Sequence, residues 1–194
     1  MSREIRFLSE IRAKADAPVI EGYAIRFGAL SEDLGGFREF ISPDAVIEFA
    51  DVRALFNHDS NYVIGRQSAG TLKLERDANG IRMEATPPET RWAQDLLVSM
   101  RRGDINQQSF AFRLLPDGAT WEDTADGWVR TLRGIRMYDV SVVTTPAYPQ
   151  TDASVRSIEQ IFADRPAPPR ADWATIHSAR WRSLEVLAEA ARHR

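Results

Sequence analysis

Histidine is scarce in this sequence, and its distribution narrows the chemistry that the chain can do. Only three of the 194 residues are histidines, and His177 and His193 follow a proline-rich stretch at 165–170. A site in the body of the chain that uses imidazole as a general base must therefore use His58. This residue lies in the polar cluster 57–61 (Asn-His-Asp-Ser-Asn), which is typical of a turn between strands. Taken alone, the cluster also fits an ordinary turn histidine.

The sequence contains no cysteine. This excludes disulfide bonds, thiolate zinc sites and a cysteine nucleophile. None of the serines lies in a Gly-x-Ser-x-Gly signature, so pattern alone does not select one as a nucleophile. With one histidine in the body of the chain and no His-Glu-x-x-His motif, only scattered carboxylates could bind a metal. Glycine-rich phosphate loops are missing as well, so we expect neither a metal nor a cofactor.

Charge and hydropathy disfavour two classes of partner. The formal net charge is −3, with 25 Lys and Arg residues spread among 28 Asp and Glu residues. No basic face for a phosphate backbone is indicated, so we expect no direct contact with nucleic acid. The sequence has no run of about 18 apolar residues, and its first residues do not resemble a secretion signal. We therefore expect no membrane contact and a cytoplasmic location.

The first half of the chain predicts strands and one short helix. Residues 18–30 place β-favouring side chains between glycines, as in a strand or strand pair. Residues 42–44 (Ser-Pro-Asp) supply a hydroxyl cap, a proline and an acid, which predicts a helix beginning there and including Phe49. Residues 71–76 and 81–85 alternate on either side of the turn sequence Asp-Ala-Asn-Gly, which predicts a hairpin.

A second helix is predicted between Thr90 and Gly103. Trp92, Leu96 and Met100 recur every fourth residue, Thr90 can cap the first turn, and Gly103 can end the helix. Two arginines in the last turn complement the helix dipole.

Strands are predicted for the next part of the chain, at 108–115, 121–124, 128–132 and 135–144. In the first of these, alternation places Ser109 on the less apolar face and Phe110 on the other. In the last, strict alternation predicts one shared face for Ile135, Met137, Asp139, Ser141 and Val143. Asp139 would then interrupt a largely apolar face.

The end of the chain predicts a separate tail. Pro146 and Pro149 stop the last strand, and prolines at 165–170 favour an extended linker. Residues 171–194 carry an imperfect apolar stripe that predicts a final helix. We therefore expect one domain at 1–156, followed by a linker and helical tail at 157–194.

Six short motifs together resemble the prohead serine proteases of tailed phages. They are 55–59 (Leu-Phe-Asn-His-Asp), 64–66 (Ile-Gly-Arg), 103–105 (Gly-Asp-Ile), 108–112 (Gln-Ser-Phe-Ala-Phe), 139–143 (Asp-Val-Ser-Val-Val) and 146–149 (Pro-Ala-Tyr-Pro). The resemblance covers about residues 20–156, and the order of the motifs agrees with the predicted hairpin and helix. This family is distantly similar to herpesvirus assemblin. The resemblance implies an α+β fold, a small, mostly antiparallel β-barrel surrounded by helices, with a C-terminal helix in addition.

The resemblance also implies the roles of individual residues. By motif position, His58 corresponds to the general base and Ser109 to the nucleophile, and Asp139 aligns with an acidic residue before Val-Ser. Asp59 remains an alternative orienting group for the base. Donors to an oxyanion are sought in Arg66 and in the backbone around Thr144 and Thr145.

For function, the resemblance implies a protease that cleaves proteins inside a virus particle during assembly. The expected partners are the major capsid protein and the scaffold, cleaved in the host cytoplasm inside the assembling prohead, and the protease itself is expected to be a substrate. The tail could dock onto scaffold, be removed by self-cleavage, or join copies into a homo-oligomer. A scaffold or other virion component that kept the fold without activity is the alternative from another functional class.

Overall fold

The protein is built mainly of β-strands in the part that the structure describes. A computed structural model describes residues 4–8, 11–34 and 36–144. Of these residues, 62% are in strands and 9% are in a helix. The strands are β1 (Glu4–Leu8), β2 (Ile11–Ala13), β3 (Ile20–Arg26), β4 (Phe37–Phe56), β5 (Asp59–Arg66), β6 (Leu72–Asp77), β7 (Gly80–Ala85), β8 (Gln107–Leu114), β9 (Ala119–Thr124) and β10 (Gly127–Val143), and the helix is α1 (Arg91–Arg102).

The strands form two sheets. The larger has the order β1-β8-β10-β4-β5, with β9 also paired to β10, and the smaller has the order β2-β3-β7-β6. All named pairs are antiparallel except β4 with β10, which run parallel. The expected helix-surrounded β-barrel is wrong, since the described strands do not close into a barrel and only one helix lies among the described residues.

The apolar core lies among the two sheets and α1. Alternating side chains of the strands supply most of it, as expected for sheets with one face turned to a core. Phe110 and Phe112 of β8 stack at 5.5 Å between ring centroids. Leu96, Leu97 and Met100 of α1 belong to the same buried cluster.

The predicted hairpin and the predicted second helix are confirmed, as are the strands predicted at 18–30, 108–115 and 121–124. The hairpin at 71–85 is formed by β6 and β7 around Asp77 and Gly80. The helix predicted between Thr90 and Gly103 is α1, and Gly103 ends it with a left-handed φ of 86°. Glycine suits that position because it has no Cβ to clash there. α1 is too short and too polar to cross a membrane.

The helix predicted from Ser42 is wrong. Its residues belong to β4, a strand of 20 residues. Parallel pairing with β10 runs through Leu132 opposite Ile41 and resumes with Gly134 opposite Val46, so residues 42–45 form an irregularity in the strand. The cap-like Ser-Pro-Asp sequence therefore marks a bulge rather than a helix start, because the pairing of β4 with β10 outweighs local preference.

The predicted shared face of β10 is also wrong, and a bulge is the reason. Met137 lies opposite Phe112 of β8, whereas Asp139 lies opposite Ala111, so Tyr138 is an extra residue in the strand. An extra residue reverses the alternation of side chains beyond it. Met137 therefore faces the core with Phe112, while Asp139 lies on the opposite face.

The predicted domain boundary, linker and C-terminal helix fall in the last part of the chain. The chain divides into two units, Met1–Ile161 and Phe162–Arg194. The boundary predicted at residue 156, the linker and the tail helix at 171–194 all lie outside the described residues.

A buried network of charges joins β1, β4 and β10. Arg130 is 1% exposed, and its two terminal nitrogens donate to the Glu4 carboxylate at 2.5 and 2.9 Å. It also donates to Glu39 at 3.1 Å, and Arg6 donates to both glutamates. Buried charges are tolerated when they are paired and hydrogen-bonded. This network therefore holds β1 to strands β4 and β10 of the same sheet.

We predict that Arg130→Met lowers the free energy of unfolding by about 3–5 kcal/mol, because two buried carboxylates lose a shared partner. Urea denaturation of the purified protein measures this change. The matched control is Arg136→Met. Arg136 pairs with Glu48 on the surface, with half of its side chain exposed, so this change should cost less than about 1 kcal/mol. Equal losses in the two variants would contradict the importance of the buried network.

The same network predicts a dependence on pH. Burial raises the pKa of Glu4, but hydrogen bonds and charges from Arg130 and Arg6 outweigh burial and lower this pKa overall. A lowered pKa in the folded state gives stability above the ordinary glutamate pKa of about 4.3, and this stability is lost as the pH falls further. The loss of unfolding free energy on Glu4→Gln should therefore be large at neutral pH and shrink in acid. An unfolding difference that does not change with pH would refute this assignment.

Candidate active site

Three polar side chains share one face of the larger sheet. Ser109 of β8 lies directly opposite Ser141 of β10, and Asp139 of β10 lies opposite Ala111. Residues directly opposite each other in antiparallel strands place their side chains on the same side of a sheet. The bulge at Tyr138 is what brings Asp139 to the face of Ser109.

His58 reaches this face from a hairpin turn. Phe56 of β4 pairs with Asp59 of β5, and the two residues between them, Asn57 and His58, have φ values of 52° and 57°. Two central residues with positive φ define a tight type I′ turn. Since β4 runs parallel to β10, with Phe56 opposite Val142, the turn arrives beside the end of β10.

The four side chains form a continuous set of hydrogen bonds. His58 Nε2 lies 2.7 Å from Ser109 Oγ, and His58 Nδ1 lies 2.6 Å from Asp139 Oδ1. Ser141 Oγ donates to the same oxygen of Asp139 at 3.0 Å and lies 3.1 Å from His58 Nδ1. A carboxylate accepts only, so the imidazole proton lies on Nδ1 and the lone pair on Nε2 faces the Ser109 hydroxyl.

The site is largely shielded from water. The Asp139 side chain is 3% exposed and that of His58 is 19% exposed, while Ser109 and Ser141 have no exposed surface. A carboxylate removed from water needs hydrogen-bond donors, and Asp139 has an imidazole N–H and a hydroxyl. Electrostatic interactions in such a dry site are stronger than at the surface.

Asp59 does not contact the imidazole through any of its described hydrogen bonds. Its Oδ1 accepts from the backbone and side-chain nitrogens of Asn61, at 2.8 and 2.9 Å. Of the two acids considered from the sequence, Asp139 is the one that the structure brings to His58.

The candidate oxyanion donors already have other partners. Arg66 Nε donates to Asp51 Oδ2 at 2.7 Å, and a second nitrogen of the guanidinium donates to the same oxygen. The pair raises the pKa of Arg66 and lowers the pKa of Asp51. The Thr144 N–H donates to Asn57 Oδ1 at 3.0 Å. Thr145 lies outside the described residues.

Two residues of the site were not assigned a role from the sequence. Asn57 holds the turn to β10, since its N–H donates to the Val142 carbonyl at 2.8 Å and its side chain accepts from Thr144. Ser141 contacts both Asp139 and His58. The spacing of Ser141, two residues after Asp139 in a strand, was a usable signal, because such residues share a face.

In residues 4–8, 11–34 and 36–144, no cluster of three or more His, Asp or Glu side chains is arranged to bind a metal.

Sequence comparison places the chain in a family. Residues 7–163 match the caudovirus prohead serine proteases, which is most of the chain. The chain belongs to this family. The match extends beyond residues 20–156, which the resemblance of the motifs covers. No curated protein and no solved structure matches the chain, so similarity to assemblin stays a prediction.

The arrangement of Ser109, His58 and Asp139 suits the acyl transfer by which a serine protease cleaves a peptide bond. An imidazole with its lone pair on a hydroxyl can take the proton of that hydroxyl as it attacks a carbonyl carbon. A carboxylate on the other ring nitrogen holds the tautomer and stabilises the imidazolium that forms.

His58 has left-handed backbone, in which any side chain is disfavoured relative to glycine. We therefore predict that the side chain needed for activity lowers the stability of the turn. We expect His58→Gly to be more stable than His58→Ala by about 1 kcal/mol, because a Cβ is disfavoured at positive φ. Both variants lack the imidazole, so their comparison isolates the backbone effect. Urea denaturation of the two proteins measures the difference. A His58→Ala variant as stable as His58→Gly would show that the turn is not strained in solution.

Proposed function

We propose that this protein is a serine endopeptidase that cleaves scaffold, or the scaffold segment of the capsid protein, during prohead maturation. The observation that carries the proposal is the continuous hydrogen bonding from Ser109 through His58 to Asp139. Family membership supports the same class of reaction. Cleavage of the protease itself, in or near its proline-rich linker, is part of the proposal.

The first half of the reaction forms an acyl-enzyme. Ser109 Oγ attacks the carbonyl carbon of the scissile peptide, and its proton moves to His58 Nε2. The C–N bond then breaks as His58 returns this proton to the leaving amine. Throughout, Asp139 keeps the proton of Nδ1 in place and balances the positive charge on the imidazolium.

The second half releases the acyl group. A water molecule attacks the ester carbonyl, with His58 accepting its proton, and the Ser109–acyl bond breaks as His58 returns the proton to Ser109 Oγ. Both tetrahedral intermediates carry an oxyanion that needs donors. The Thr144 N–H and the Arg66 guanidinium can serve only by exchanging their bonds to Asn57 and Asp51 for bonds to the oxyanion.

Substrate can reach the Ser109 hydroxyl only if groups around it move. Ser109 has no exposed surface, so a substrate carbonyl can reach its Oγ only after neighbouring groups move. Such a closed site suits an enzyme that must stay inactive until its substrates surround it. Family membership supports the proposed partners, which are the major capsid protein and the scaffold, and the proposed place of action, which is the prohead assembling in the host cytoplasm.

Co-expression with the neighbouring capsid and scaffold proteins tests this function. We expect intact-mass analysis to find shortened capsid, scaffold or protease chains with the wild-type protein. Ser109→Ala and His58→Ala should leave all chains at full length, since each removes one part of the acyl-transfer machinery.

Ser99→Ala in α1 is the matched control, because within the described part of the chain the Ser99 hydroxyl donates to the carbonyl of Asp95 and has no contact with the site. It should cleave as the wild-type protein does. Full-length masses for every sample in assembled shells would replace the protease proposal with that of an inactive virion component.

A further inference from the structure

Ser141 lies in the middle of the site without a part in the reaction described above. It is fully buried, and it is directly opposite Ser109 and two residues from Asp139. Its neighbours Val140 and Val142 face the core, so alternation turns Ser141 to the opposite face, which carries Ser109 and Asp139. There its hydroxyl contacts the two groups that must carry opposite charges in the proposed reaction.

Counting protons fixes the direction of these contacts. His58 Nδ1 carries a proton, because Nε2 must be free to accept from Ser109. Ser141 has a single proton, and Asp139 Oδ1 at 3.0 Å is the acceptor that takes it. The lone pairs of Ser141 Oγ then face the N–H of His58 Nδ1, 3.1 Å away. The hydroxyl therefore presents its positive end to the carboxylate and its negative end to the imidazole.

We propose that Ser141 is a positioning residue that holds the Asp139 carboxylate and the His58 ring in register and stabilises the imidazolium. This inference rests on the proposed serine-protease function. When Ser109 gives up its proton, His58 becomes positive and faces the negative end of the hydroxyl. Hydrogen bonds to charged groups are stronger than those between neutral groups, so both contacts of Ser141 strengthen as the charge develops. An interaction that strengthens on the way to the transition state raises the rate.

A fluorophosphonate probe measures this effect without knowledge of the cleavage sequence. Ser109 Oγ bonds to the phosphorus of the probe, fluoride leaves, and the hydroxyl proton moves to His58, so the labelling rate reports activation of the serine. We expect Ser141→Ala to lower the second-order labelling rate constant by about tenfold to hundredfold, as loss of a charged hydrogen bond predicts. Ser141→Thr, which keeps a hydroxyl at the same position, should retain most of the wild-type rate.

Two controls separate this inference from the proposed function. Ser109→Ala should not be labelled, which shows that the probe reports on that residue, and Ser99→Ala should react as the wild-type protein does. Labelling is carried out during co-expression with the capsid and scaffold proteins, where the closed site is proposed to open. If the wild-type protein is not labelled there, the proposed function fails and the inference with it. If the wild-type protein and Ser141→Ala are labelled at equal rates, the function stands and the role of Ser141 is refuted.

A spectroscopic readout distinguishes positioning from mere packing. The proton on His58 Nδ1 gives a proton NMR signal at low field when it is held by a carboxylate, and His58→Ala identifies it by its loss. We expect this signal to move in Ser141→Ala and to stay near its wild-type position in Ser141→Thr. A slower labelling rate with an unmoved signal would show that the substitution acts through packing, and would overturn the inference.

Discussion

Strand β10 pairs with β8 on one side and with β4 on the other, and the site depends on this double pairing. The antiparallel partner carries Ser109, and the parallel partner leads into the turn that carries His58. β10 itself contributes Asp139 and Ser141. Since hydrogen bonding fixes the register of each pair, the distances between the reactive groups are set by backbone pairing rather than by flexible loops. Sites on paired strands are held more precisely than sites on loops.

The bulge at Tyr138 is the second requirement for the site. In a strand without it, Asp139 would point to the same side as Met137, into the apolar core and away from Ser109. A carboxylate there would lose its donors and would be costly to bury. The extra residue moves Asp139 to the polar face while Met137 keeps its place in the core. The bulge therefore allows Met137 to pack in the apolar core while Asp139, on the other face, contacts His58.

The sequence was informative about local pattern and much less so about pairing. Alternation around a turn predicted the hairpin of β6 and β7, and periodicity with a terminal glycine predicted α1. Residues 42–49 look like a helix start because caps are read locally, whereas the parallel pairing of β4 with β10 comes from residues about 90 positions away. The bulge in β10 leaves no comparable local mark. Elimination and resemblance selected His58, Ser109 and Asp139. The spacing of Asp139 and Ser141 places them on one face, and the register adds that Ser141 lies directly opposite Ser109.

The turn and strand that carry the base and the hydroxyl are also places where the fold is under strain. Asn57 and His58 both adopt left-handed backbone, which is uncommon for residues other than glycine, although asparagine and histidine adopt it more often than most. Gln108, next to Ser109, is fully buried, and its amide nitrogen and oxygen have no partner among the described residues. An unpaired buried amide typically costs about 1–3 kcal/mol. Such local costs persist only where the surroundings hold the chain firmly. Here the bonds of Asn57 to Val142 at the end of β10 and to Thr144 just after it hold the turn. The ladders to β1 and β10 hold the strand of Ser109, so the reactive groups stay in register at the expense of local stability.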